Sequence, residues 1–247
     1  MTNNNGRILW QGPSPIDGAP LVAIATGFAE SSANIKTGAM IQTWIMRADI
    51  NPHLAKKGGS DYSICGNCPH RKHNNSDDGS LTLAQGSCYV KVYHAPLSVW
   101  NCYNSGSGYA PIGDDWALFD GSTVRIGSYG DPAMVPTSVW QAIIRRSRSH
   151  TAYTHQWKQP FAQGLKGLAQ ASCDGMADYL EATAAGWRTF LVKPAGVPDP
   201  AGTAHCAASV ERGSKTTCAQ CHLCDGASAN VVINAHGASK GKVLLRN

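Results

Sequence analysis

Apolar residues in this chain come in short blocks separated by clusters of glycine, proline, asparagine and aspartate, and the pattern changes along its length. Two uninterrupted apolar runs, residues 21–25 and 40–46, make residues 8–60 read as β-rich. From residue 123 short apolar runs alternate with stretches of helical period, the order that builds parallel sheets through crossover units. The strand candidates are residues 124–129, 151–155, 168–172, 188–192 and 231–234. Between the first two, Val139, Trp140, Ile143 and Ile144 share a helical face behind Pro136, a proline suited to a first helical position. Another helix follows Asp174, with Met176, Tyr179, Leu180 and Ala184 on one face and Gly186 placed to stop it. Pro160 opens a shorter segment, and a further helix is expected just behind Cys88, carrying Val92, Tyr93, Leu97 and Trp100.

This order predicts an α/β fold, an open or partial (β/α) barrel, in one domain over residues 1–247. Its parts are a β-rich segment (1–60), a cysteine loop with the partial barrel (61–200), and a cysteine-rich segment with the last strand (201–247). Ligand sites in such folds lie at the carboxyl ends of the strands. The residues there include Ser128, Tyr129, Gly130, Asp131 and Pro132, then Tyr153, His155 and Trp157, then Cys173 and Asp174, then Lys193. Asp131 and Asp174 also suit ordinary helix caps, and Gly130 an ordinary turn.

Composition narrows the function classes. Hydrophobic residues make up 43% of the 247 and charged residues 15%, against about 25% charged in a typical soluble domain, which excludes a disordered or charge-laced coiled-coil chain. The polar start of the sequence and the lack of any run of about 20 apolar residues predict no membrane span and a reducing cytoplasm. Lysine and arginine (21) exceed aspartate and glutamate (16) by five, a modest excess that permits nucleic acid without requiring it. The one basic run, Arg145, Arg146 and Arg148, reads as a solvated helix face or a phosphate contact.

Nine cysteines are too few for a disulfide scaffold, and clustered thiols in a reducing compartment more often bind metal. Cys218, Cys221 and Cys224 form a C-x2-C-x2-C run behind Cys206. That pitch can wrap one compact iron-sulfur cluster, with a tetrahedral zinc site as the alternative. Cys65 and Cys68 form a C-x2-C pair that a polar loop separates from Cys88. Iron-sulfur and zinc are both open there, with His70, His73 or another cysteine able to complete a zinc knuckle. Cys102 and Cys173 read as buried bystanders, and Cys173 keeps a secondary claim as ligand or reactive thiol.

The strand at 40–46, the cysteine loop ending in Cys88 and Tyr89, and the block 124–132 with its Gly130-Asp131-Pro132 resemble the first half of a radical S-adenosylmethionine enzyme. The chain from Cys65 to about His236 also resembles the bacteriophage family called "gene product eighty-eight". The superfamily spaces its ligands C-x3-C-x2-C, whereas this chain has C-x2-C-x19-C, and Asp131 stands where the family has glutamate. The resemblance implies a [4Fe-4S] cluster on Cys65, Cys68 and Cys88 with one iron open, and S-adenosylmethionine held by Tyr89, Ser128, Gly130, Asp131 and Pro132. It further implies an auxiliary cluster on Cys206, Cys218, Cys221 and Cys224, with Tyr153, His155, Trp157, Asp174 and Lys193 facing a small-molecule or nucleotide substrate. An electron donor protein would be a partner. Two other classes share many of these features: a non-catalytic iron-sulfur protein, and a zinc-dependent nucleic-acid-binding protein.

Overall fold

The computed structural model describes residues 3–32, 34–75, 81–83, 86–105, 108–209, 213, 215–236 and 240–241. The chain begins with β1 (Gly6–Pro13), β2 (Pro20–Thr26) and β3 (Ile41–Arg47), whose continuous apolar runs are almost wholly buried in β2 and β3. Asn51 caps α1 (Pro52–Gly58) by accepting from the Leu54 amide at 2.9 Å, and a single turn of helix, α2 (Tyr62–Cys65), follows. A small antiparallel pair, β4 (His73–Asn75) and β5 (Leu81–Leu83), leads to α3 (Ala95–Asn104) and the short β6 (Ala110–Pro111).

The regular half then runs β7 (Thr123–Tyr129), α4 (Thr137–Ile144), β8 (Ser149–Thr154), β9 (Gln170–Cys173), α5 (Met176–Ala184), β10 (Thr189–Lys193), β11 (Thr203–His205), α6 (Cys218–Cys221) and β12 (Asn230–Asn234). Ten strands make one sheet in the order β11-β12-β10-β9-β8-β7-β3-β2-β1-β6. Every neighbouring pair is parallel except β3 with β2 and β2 with β1, so β2 alone runs against the rest. The sheet is open, its edge strands β11 and β6 lying at opposite ends of the order.

Two local expectations change. The helix placed just behind Cys88 starts only at Ala95, because Pro96 belongs in a first turn and cannot sit in a helix interior. In α5 the buried positions are Tyr179 and Ala182, while Met176 and Leu180 are 45% and 61% exposed. The helix lies rotated from the face its apolar period suggested.

Parallel pairing puts the carboxyl ends of β3, β7, β8 and β9 along one edge. Between β7 and the turn behind it, Gly130 has φ +78°, and a Cβ there would stand 2.5 Å from the Ile45 carbonyl oxygen. Gly130→Ala therefore combines a left-handed backbone penalty with overpacking, about 2–4 kcal/mol in all. Urea denaturation checks this: an unchanged midpoint would mean that the turn relaxes freely.

Candidate functional site

The triad Cys65, Cys68 and Cys88 lies on the carboxyl edge of the sheet. α2 ends at Cys65, and the Asp131 amide, just past β7, donates to the Ile64 carbonyl at 2.7 Å. The Gln156 amide, just past β8, donates to the Cys65 carbonyl at 2.9 Å, and the Cys88 amide donates to the His70 carbonyl at 2.9 Å. The loop is anchored from beneath by Arg71, 3% exposed, which donates to Asp61 at 2.7 and 3.0 Å and to the Gly59 carbonyl at 2.7 Å.

Burial pushes the Cys65 thiol well up, and Asp61, Cys68 and Cys88 push it further. Cys88 is raised by burial too, against the opposing charge of Lys56. Thiols raised in this way, Cys65 and Cys88, shed their protons together only if a cation replaces them. The Tyr129 hydroxyl, buried and within the electrostatic reach of Cys65 and Cys88, has no hydrogen-bond partner among the described residues. A buried hydroxyl in that state marks a position where a further group belongs.

Beside the triad stand His70, His155 and Asp174, from three separate segments. His70 Nε2 lies 2.8 Å from Asp174 Oδ1 and His155 Nε2 lies 3.2 Å from Asp174 Oδ2, with the two rings edge to face at 5.3 Å. His70 Nδ1 is 2.6 Å from the Ser87 hydroxyl. Burial opposes the charge on Asp174, but the close His155 imidazole and the hydrogen bond with His70 outweigh it and hold the carboxyl far below its usual range. Burial likewise opposes protonation of His155, yet Cys68 and Asp174 outweigh it and raise this imidazole well above normal.

The quartet Cys206, Cys218, Cys221 and Cys224 is assembled elsewhere, against the side of the sheet. The Cys218 and Ala219 amides donate to the carbonyls of Lys36 and Thr37, ahead of β3. Cys206 follows β11 directly, its amide donating to the Val232 carbonyl of β12 at 2.8 Å. The Cys224 carbonyl accepts from the Ala152 amide of β8, and Gln170 of β9 donates to the Leu223 and Ala229 carbonyls. Residues 223–229 thus fill the gap where β8 and β9 part, these strands pairing only at Tyr153–Gln170 and Thr154–Ala171. Burial pushes the Cys224 thiol up to about 12 despite the hydrogen bond that the Tyr153 hydroxyl donates to it. Cys218 is raised by burial and by Cys206 and Cys221, against the pull of Arg125. Among the described residues, which include all nine cysteines, no disulfide forms.

Of the residues singled out from the sequence, His155 and Asp174 meet beside the triad. Tyr153 belongs to the quartet. Lys193 is spent in the fold, on Asp199 at 3.0 Å, Asn234 at 2.9 Å and the Val197 carbonyl. Trp157 donates its indole N–H to the Ser172 carbonyl at 3.2 Å and is buried. Tyr89 is exposed and accepts from Arg125 at 3.1 Å, and Ser128 donates to Gln42 at 2.6 Å. The Asp131 carboxylate accepts from the Ala133 amide, the Thr154 hydroxyl and the His155 amide at 3.0, 2.7 and 2.8 Å. It therefore ties β7 to β8 and spends most of its acceptor capacity there. Pro132 is buried, and its carbonyl accepts from the Trp140 indole at 2.9 Å. His73 donates its Nε2 proton to the Lys57 carbonyl at 2.9 Å rather than joining the triad. Cys173 is buried, as a bystander would be, and Cys102 is half-buried near Tyr109.

Arg125 and Arg71 carried no motif and were not singled out. Arg125 reaches Tyr89, next to Cys88, at one end and feels Tyr153 and Cys218 at the other, so it bridges the two cysteine sets. The run Arg145, Arg146 and Arg148 precedes β8, at the opposite edge of the sheet from the triad, and Arg146 pairs with Asp120 at 3.0 Å. Among the described residues no helix is long and apolar enough to cross a membrane. The chain matches no family model, no curated protein and no solved structure in the comparisons made.

Proposed function

We propose that this is an iron-sulfur protein of the phage type described above, with a cluster on Cys65, Cys68 and Cys88 and an auxiliary cluster on Cys206, Cys218, Cys221 and Cys224. We read it as a radical-SAM-like enzyme on a curved, partial-barrel sheet. The observation that carries this reading is the position of the triad: distant cysteines converge on the carboxyl edge, next to the 130–132 turn and an unpartnered Tyr129 hydroxyl. The quartet also fits a metal, since half-buried Arg125 lies near Cys218 and four metal-bound thiolates would supply its counter-charge.

A reduced cluster with one open iron would supply the electron that cleaves S-adenosylmethionine in this superfamily. The chain's own part is to bind and to keep water out. With Asp131 turned into the fold, any grip on the cofactor at residues 130–132 comes from the main chain, and Tyr129 offers a hydroxyl. His155 and Asp174 face the substrate side of the triad. The inward turn of Asp131 favours one competing reading, a non-catalytic iron-sulfur protein.

Anaerobic purification with iron, sulfide and zinc analysis tests the proposal. About eight irons per chain with matching acid-labile sulfide are expected for two [4Fe-4S] clusters. Zinc without sulfide would overturn it. With clusters intact, 5'-deoxyadenosine formed from S-adenosylmethionine after reduction supports the enzyme, and its absence leaves the non-catalytic protein.

A further inference from the structure

We infer that His70, His155 and Asp174 form a mononuclear site for a divalent first-row metal ion, bordering the Cys65, Cys68 and Cys88 triad but sharing no ligand with either cysteine set. One ligand atom from each lies within 4.8 Å of the other two. The closest approaches, 2.8 and 3.2 Å, are near the spacing of about 3 Å between neighbouring ligands on a metal with bonds of about 2.1 Å. The three ligands come from the cysteine loop, the end of β8 and the end of β9, so no local turn or cap accounts for their meeting.

Ligand orientation supports the same assignment. Both histidines present Nε2 to the one carboxylate, and His70 Nδ1 is held by the Ser87 hydroxyl at 2.6 Å. When a metal takes Nε2, the His70 ring proton moves to Nδ1 and donates to Ser87, the outer contact that fixes tautomer and ring angle in metal-bound histidines. All three residues are only half-buried, so water or a substrate oxygen can complete the coordination shell. Two imidazoles and a carboxylate with open positions suit Fe2+, Mn2+ or Zn2+. A cation there would polarise a substrate oxygen or activate a bound water next to the triad. The site borders the triad through the Cys68 thiol, which reaches His155, but draws no ligand from the cysteines.

Mn2+ is the discriminating probe, because thiolates take this hard cation poorly. Protein purified anaerobically with its cysteine sites loaded is titrated with Mn2+, and free Mn2+ is read from its electron paramagnetic resonance signal. One equivalent bound per chain is expected. Asp174→Asn, which keeps the size of the side chain, and His70→Gln should each weaken binding at least about 10-fold, while Cys102→Ser, outside both cysteine sets, leaves it unchanged. Iron content and near-ultraviolet circular dichroism identify any variant that misfolds, and the other variant then decides. Mn2+ that stays free with the intact protein, or binds equally well to a folded variant, would overturn the assignment and leave a hydrogen-bonded His-Asp-His network. Failure of the iron-sulfur reading would appear separately, as zinc in place of iron and sulfide.

Discussion

Exchanging Arg71 for methionine is expected to lower stability by about 3–5 kcal/mol, because it strands the Asp61 charge in the interior. Both side chains are buried, at 3% and 6% exposure, and 2.7 Å apart. Arg71 also donates to the Gly59 and Gly66 carbonyls on either side of α2 and stacks 5.2 Å over the Tyr62 ring. The loss falls on the segment that carries Cys65 and Cys68, so iron bound by the triad should decrease with it. Guanidinium denaturation gives the first effect and iron per chain the second. Asp61→Asn placed on the same variant should recover part of the loss by removing the stranded charge. A single variant as stable as the parent would show that Asp61 finds water or another partner.

Replacing Cys224 with serine should have a larger effect. If the quartet holds a metal, its binding energy is folding energy, on the order of 10 kcal/mol or more for a structural four-ligand site. Serine keeps the backbone contacts of residue 224 but removes the most buried ligand of the set. The expected result is loss of about half the iron and a melting temperature lowered by 20 °C or more, taking about 2–4 °C per kcal/mol for a chain of this size. Cys102→Ser, altering a thiol outside both sets, serves as the control. Unchanged metal content and melting in Cys224→Ser would mean that the quartet binds nothing.

β3 and β12 were legible because nearly all of their positions are buried, so each reads as a short apolar run between turn residues. The cysteine groupings were legible from spacing. What was hidden depends on long-range meetings. His70 drew notice only as a possible zinc ligand, and nothing local says that it faces Asp174 across 104 positions. Arg125 sits in a strand as a lone cation, and its importance appears only once Tyr89 and Cys218 arrive from distant segments. Lys193 looked available at a strand end, but Asp199 and Asn234 claim it. β11, three residues long, has no apolar run of its own, and its pairing with β12 makes it a strand.

The filling of the gap between β8 and β9 by residues 223–229 has a consequence for how the protein is made. Synthesis proceeds from the amino terminus, so both strands leave the ribosome well before the segment that joins their parted halves. Until residue 224 emerges, the Ala152 amide lacks its acceptor and the Gln170 side chain lacks both carbonyls. The centre of the sheet therefore closes only when the final cysteine run arrives. A ribosome-bound chain halted before residue 218 should leave β8 and β9 open to protease, whereas one released after residue 236 should protect them.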